Sequence, residues 1–356
     1  MDYLRHHIEG QIADQNFPTP PPLPTNDPFL ASSCLHKAMR RGERTAALSA
    51  ALALLEIDPE RLWKRLAVIA LEDFGLADLS LTGQVIAAAS NKAWRLRVGG
   101  DVRILSYLIE QLSRCPRDRR ATELYVLALS LEEGSLASLP PDAVISDALL
   151  GLVEQARTAL HECERLTILG HRSIRSTVPK ECDRTLQAEA ERQSSVASHL
   201  PMLMQARRTT QVLLPLTLAF WMPRMPRTGA STVHREAPPT LMIHGIPSCG
   251  LDGFTRIGKE ALSRLAREDR ALSSLIQGLP SSRARSYALA ESLFEVESGI
   301  CTAEFSDDLY SELRRWSIGC RTRLPEEDFA ALMQALKVAL PRLNEIRGDL
   351  YAHNLR

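Results

Sequence analysis

Along residues 30–131, apolar positions recur every three or four residues and are interrupted by Gly, Pro and Asp, the pattern of amphipathic helices sharing a core. Asp58 before Pro59 reads as an N-cap with proline in the first turn. Leu62, Leu66, Ile69 and Ala70 follow at helical spacing until Gly75. Further helices are predicted at 81–97, 101–115 and 117–130, with Gly99-Gly100 and Pro116 as stops. From Pro140-Pro141-Asp142 a helix is expected to run to Leu169, burying Val144, Leu149, Leu152, Val153 and Ala156 and ending at Gly170. One or two helices occupy 180–222. The last stretch predicts helices at 257–268, 284–297, 307–317, 326–339 and 342–353, and one short strand at Leu241-Met242-Ile243. No internal repeat of fixed period is visible.

Two stretches break this pattern. Six prolines between Phe17 and Pro28 favour an extended segment, read as a tether, with a ligand for a groove on another protein as the second reading. Four prolines between 223 and 239 mark a long loop or second linker. The divisions expected are a Pro-rich arm at 1–29, helical units at 30–139 and 140–239, and a C-terminal helical unit at 240–356.

Composition agrees with an all-α, multi-helical fold. Hydrophobic residues make up 45% of the chain but aromatics only 5%, and the apolar set is mostly Ala and Leu, the best helix formers. The 43 basic and 43 acidic residues cancel, so any binding to nucleic acid must come from a local patch. Seven scattered cysteines suit a reducing compartment better than a disulfide framework. The run 212–222 is about half of what a spanning helix needs and contains Pro215, so no membrane association is expected. Together these readings point to a cytoplasmic protein.

One segment carries a resemblance. Ser33, Leu35, Lys37 and Arg40 are followed by Asp58-Pro59, Arg65-Leu66, Ile69-Ala70, Glu72-Asp73 and Gly75-Leu76-Ala77-Asp78. This S-x-L-x-K-x-x-R helix and the later E-D-x-G-L-A-D turn are similar to the helical region that follows the ATPase core in the RarA/MgsA family of clamp-loader-like AAA+ proteins, which act at stalled replication forks. Counting Cys115-Pro116-Arg117, the resemblance covers about 100 residues. A fainter echo lies at Gly245-Ile246-Pro247 and Phe254 to Glu260, where the family has an L-P turn before a G-x-E helix. No G-x-x-x-x-G-K-[ST] phosphate loop is present; after Gly245 and Gly250, Leu251-Asp252 stands where Lys-Ser/Thr is required. The resemblance therefore implies a clamp-loader-collar-like domain without its motor: a homo-oligomer, with a AAA+ or clamp-loader-type partner, in DNA replication or repair, without a cofactor.

The candidate interaction surface is Lys37, Arg40, Arg41, Arg65, Asp73, Arg114, Arg117, Arg119 and Arg120. The cluster at 114–120 is the first candidate for DNA contact, because arginines at a helix start add to the dipole's preference for anions. An alternative, a nucleic-acid-processing enzyme, would use His244, Cys249, Asp252, Arg256 and Lys259 for acid-base and phosphate chemistry. A third reading is a purely structural scaffold. His161, Cys163, His171 and Cys182 have zinc-ligand chemistry but not the paired spacing, and on a helix His161 and Cys163 point about 200° apart. The expectation there is no metal.

Overall fold

The computed structural model describes residues 1–13, 15–130, 146–168, 178–210, 213–224, 231–322 and 324–354. About three quarters of the chain is helical, which bears out the all-α, multi-helical class. In chain order the helices are α1 (Asp2–Ile12), α2 (Pro28–Arg41), α3 (Arg44–Ile57), α4 (Pro59–Ile69), α5 (Leu79–Ala89), α6 (Lys92–Arg97), α7 (Asp101–Arg114), α8 (Arg120–Ser130), α9 (Asp147–Ile168), α10 (Val178–Arg192), α11 (Ser194–Ala197), α12 (Leu200–Thr210), α13 (Leu214–Trp221), α14 (Arg256–Glu268), α15 (Arg270–Ile276), α16 (Ser282–Leu293), α17 (Asp308–Thr322) and α18 (Glu326–Asn354). The short strands are β1 (Ser231–His234), β2 (Met242–Ile243), β3 (Ile246–Pro247) and β4 (Ala303–Ser306). Among the described residues no helix is long and apolar enough to cross a membrane.

Short polar side chains set the helix starts. Asp27, Asp58, Asp78 and Asn91 accept from backbone N–H groups of the first turns of α2, α4, α5 and α6, at 2.8–2.9 Å from Phe29, Arg61, Leu81 and Trp94. Thr255 and Ser281 do the same for α14 and α16. Each satisfies a donor that has no partner within its helix. Gly42, at φ 70°, ends α2 in the left-handed conformation that glycine adopts without strain.

The chain forms two compact units, each assembled from three stretches. The first comprises residues 1–17, 63–233 and 304–320. Its core gathers Leu71, Leu124, Leu152, Leu203, Leu218, Trp221 and Trp316, all buried. Helix α1 lies inside the arm read as Pro-rich, and the periodicity reading did not include it. It buries Leu4, Ile8 and Ile12, and the Trp94 indole donates to Glu9 at 2.6 Å.

The second unit comprises residues 18–62, 234–303 and 321–356. Helices α14, α15 and α16 pack on α18 around Leu262, Leu265, Leu272, Leu293, Leu336 and Leu343. The proline-rich stretch is docked here, contrary to the tether reading. Leu23 is buried, its N–H bonds to the Ser49 carbonyl at 3.1 Å, and the Tyr351 hydroxyl reaches the Pro24 carbonyl.

Several helix boundaries differ from the periodicity, and three show why. The segment predicted as one helix over 81–97 breaks where Asn91 caps a new start. Helix α8 begins at Arg120 instead of 117, because residues 117 and 118 are held extended: Arg117 bridges to Glu304, and the Asp118 N–H bonds to the Asp73 carbonyl. The two helices expected at 326–339 and 342–353 are one, α18, which runs through Pro341. Leu336, Ala339, Leu343 and Ile346 keep one buried face across the proline, and that packing outweighs its missing hydrogen bond.

Candidate functional site

Each unit uses the same device. A helix widens into one π-helical turn, Ala70–Phe74 after α4 and Phe294–Ser298 after α16, and a glycine follows, Gly75 or Gly299. The fourth residue of each turn is a buried carboxylate, Asp73 or Glu297. An extra residue per turn re-aims side chains that a regular helix would place elsewhere.

In the first unit Asp73 faces Arg119, with Nε 3.4 Å from its Oδ1. Arg119 also reaches Glu123 at 3.2 Å, and Glu123 accepts from the Ser317 hydroxyl at 2.6 Å. Beside them Arg120 binds Asp118 and, at 3.1 Å, Asp307, with its guanidinium over the Trp221 ring. The Arg117 guanidinium lies 5.2 Å from the Phe74 ring centroid and donates to the Cys115 carbonyl. Glu304 takes the Tyr310 hydroxyl at 2.7 Å and Arg314 at 3.3 Å. Burial, then the Glu304 charge, pushes the Tyr310 phenol well above its usual range.

In the second unit part of one set that the sequence treated as a separate site, Lys37, Arg40 and Arg41, lies with part of the other, Cys249 and Asp252. Lys37 Nζ lies 2.6 Å from Asp252, both nearly inaccessible. The Ser33 hydroxyl donates to the Gly250 carbonyl at 2.8 Å. Arg40 stacks over Phe294 at 4.9 Å. Arg41 binds Glu43 at 2.8 Å and the carbonyls of Pro238 and Glu297. Glu297 is gripped by both terminal nitrogens of Arg347, at 3.2 and 2.8 Å, and accepts from Ser248 at 3.3 Å.

These placements change what the sequence-predicted residues can do. Lys37, Arg40, Arg41, Asp73, Arg117, Arg119 and Arg120 are interior, so they organise their units and do not form the solvent-facing surface expected of them. Arg65 is half-buried with no carboxylate paired to it among the described residues, and Arg114 is exposed beside Glu110. Of the alternative set, Cys249 and Asp252 are buried while His244, Arg256 and Lys259 are exposed. His244, at φ 49°, and Gly245, at φ 83°, form the two-residue turn of the β2–β3 hairpin, where Ile243 pairs with Ile246. The His244 ring stacks on Tyr351. Asp252 accepts from the N–H groups of Phe254 and Thr255, both at 3.1 Å, so it fixes the turn into α14.

Burial pushes the Cys249 thiol up to about 12, with Arg41 opposing and Glu297 adding, and lifts Cys34 well above its ordinary range. Both remain protonated at neutral pH, the unreactive form. A thiol raised in this way contributes stability that is whole below about 9 and fades as pH climbs toward 12. Cys249 and Cys34 are expected to resist a thiol reagent at pH 8 in the folded protein and to react promptly in denaturant. Fast labelling of either in the native state, read by peptide mass, would contradict this.

No group of three or more His, Cys, Asp or Glu placed to hold a metal occurs among the described residues. The side chains of His161 and Cys163, and all of His171, lie outside the described residues; Cys182 is a buried core thiol. The sequence motifs thus mark two interior ion-pair centres, and partners such as Asp118, Glu123, Glu297, Glu304 and Arg347 carry no local signal, because several of them sit among other charges as surface residues commonly do. Compared with known proteins, no family model, no curated protein and no solved structure matches this chain.

Proposed function

We propose that the chain is a non-enzymatic helical accessory or adaptor protein of cytoplasmic DNA replication or repair, acting by self-association and by binding a AAA+ or clamp-loader-type partner. The reading is supported by how the residues similar to the RarA/MgsA helical region are used. Ser33 and Lys37 hold the Gly250–Asp252 turn, while Glu72 and Asp73 hold the start of α8 through Thr122, Asp118 and Arg119. Such residues are spent on internal architecture, which is what a scaffold needs. Arg65 and Arg114 remain as the accessible members of the expected surface.

Light scattering of the full-length protein over a wide concentration range tests this. A closed oligomer, weakened by Arg65→Glu with helicity unchanged, is the expected result. A monomer at every concentration that also fails to retain a AAA+ clamp-loader complex on a column would overturn the reading.

A further inference from the structure

On the second unit, α14 buries Ile257, Ala261, Leu262 and Leu265 and turns Arg256, Lys259, Ser263 and Arg267 outward as one stripe. Arg270 opens α15 and Arg283 opens α16, both exposed. Within 256–287 there are seven basic and three acidic residues, an excess of four in a chain whose net charge is zero. Between Asp269 and Glu291 there is no acidic residue at all.

An exposed charge run is ordinarily a solvated face, and pairing decides otherwise here. Arg264 and Arg342 share Glu268, as exposed arginines commonly do. No carboxylate pairs with Lys259, Arg267, Arg270 or Arg283 among the described residues, and Arg267 donates only to the Ser263 hydroxyl. Two aromatic rings accompany them in exposed positions. Phe254 stands two residues before Arg256, and Tyr287 lies one helical turn beyond Arg283 on the same side of α16. Phe254 packs edge-on against Phe294 and Tyr287 bonds to Glu291, yet each ring keeps more than two fifths of its surface exposed, and unpaired cations beside such rings match a strand that offers phosphates and unstacked bases.

We infer that the outer surface of α14, α15 and the start of α16 binds single-stranded nucleic acid, the cations neutralising its phosphates and Tyr287 stacking a base. This deepens the adaptor reading by naming a ligand. The two fail separately: an oligomer that binds no oligonucleotide loses the inference and keeps the reading.

The test is fluorescence anisotropy of a labelled thymidine oligomer of about 20 nucleotides with the full-length protein. With about four phosphates neutralised at a log–log slope of roughly −0.7 each, a fourfold rise in salt weakens binding about fiftyfold. Lys259→Glu with Arg267→Glu lowers affinity about tenfold or more and flattens that slope. Tyr287→Ala lowers affinity about fivefold or more at unchanged slope, and Tyr287→Phe restores it. These side chains are exposed, so circular dichroism of the variants stays native; should the double variant lose helicity, Lys259→Glu alone carries the comparison. A uridine oligomer binding in place of thymidine supports the surface and names RNA as its strand. No binding by the wild type, wild-type affinity in a folded charge-reversed variant, or equal competition by a poly-glutamate peptide, which would mark an acidic protein partner, each overturns the inference.

Discussion

Glu297→Ala lowers the unfolding free energy of the protein by about 3–5 kcal/mol. Arg347 is fully buried, and both of its terminal nitrogens hold the Glu297 carboxylate. Without that carboxylate the guanidinium keeps its charge and is left, among the described residues, with the side-chain bond to Asn344. The loss is therefore dominated by a stranded charge more than by a missing attraction. Pairing Glu297→Leu with Arg347→Met removes both charges and recovers most of the stability, a non-additivity that a surface pair does not show. Urea unfolding of the four proteins, followed by far-ultraviolet circular dichroism, reads all of this. A single-variant cost under about 1 kcal/mol would mean that the site is open to water. Asp73→Ala is expected to act on the first unit in the same direction but by less, because Arg119 keeps Glu123 at 3.2 Å.

The contrast between these buried pairs and the motifs that contain them shows what a sequence discloses. Helix starts were legible at Asp58 and through the periodicity of α7 and α14, because a cap and an apolar stripe are local facts. The π-helical turns were not, since Glu72-Asp73 and Glu295-Val296-Glu297 have no composition that separates them from a regular helix end. Burial was misread for the same reason. Arg117, Arg119 and Arg120 look like a phosphate-binding helix start, yet their acidic partners arrive from residue 73, from the same helix and from 304–307. Likewise Lys37 and Asp252 are 215 positions apart, and no spacing rule joins them. That each unit draws on three separated stretches is a tertiary property which periodicity does not carry. The outward stripe of α14 was readable, because it needs only the helix and the side opposite Leu262 and Leu265.

Gly258→Ala destabilises the protein by about 3 kcal/mol or more, against the ordinary sign of the change. Inside a helix glycine costs up to about 1 kcal/mol relative to alanine, so the substitution is normally stabilising. At Gly258 an added Cβ would lie 1.7 Å from the Asp252 carbonyl oxygen and 2.6 Å from that of Leu251. Those are main-chain atoms, and the turn is pinned from several sides. The Asp252 carbonyl accepts from the Thr255 hydroxyl at 2.9 Å and its N–H at 3.1 Å, the Asp252 carboxylate holds Phe254 and Thr255, and Lys37 holds Asp252. A methyl group can enter only by breaking that turn or displacing the first turn of α14. Gly348→Ala, in α18 with no atom within 4 Å of a built Cβ, is the control and gains roughly 0.5–1 kcal/mol. Thermal melts of both variants give the comparison, and a Gly258→Ala protein as stable as the wild type would show that the turn yields. Because the same turn sets where α14 begins, it also sets which way Arg256 and Lys259 face. A folded Gly258→Ala protein therefore loses affinity for single strands along with stability, although no cation has been changed.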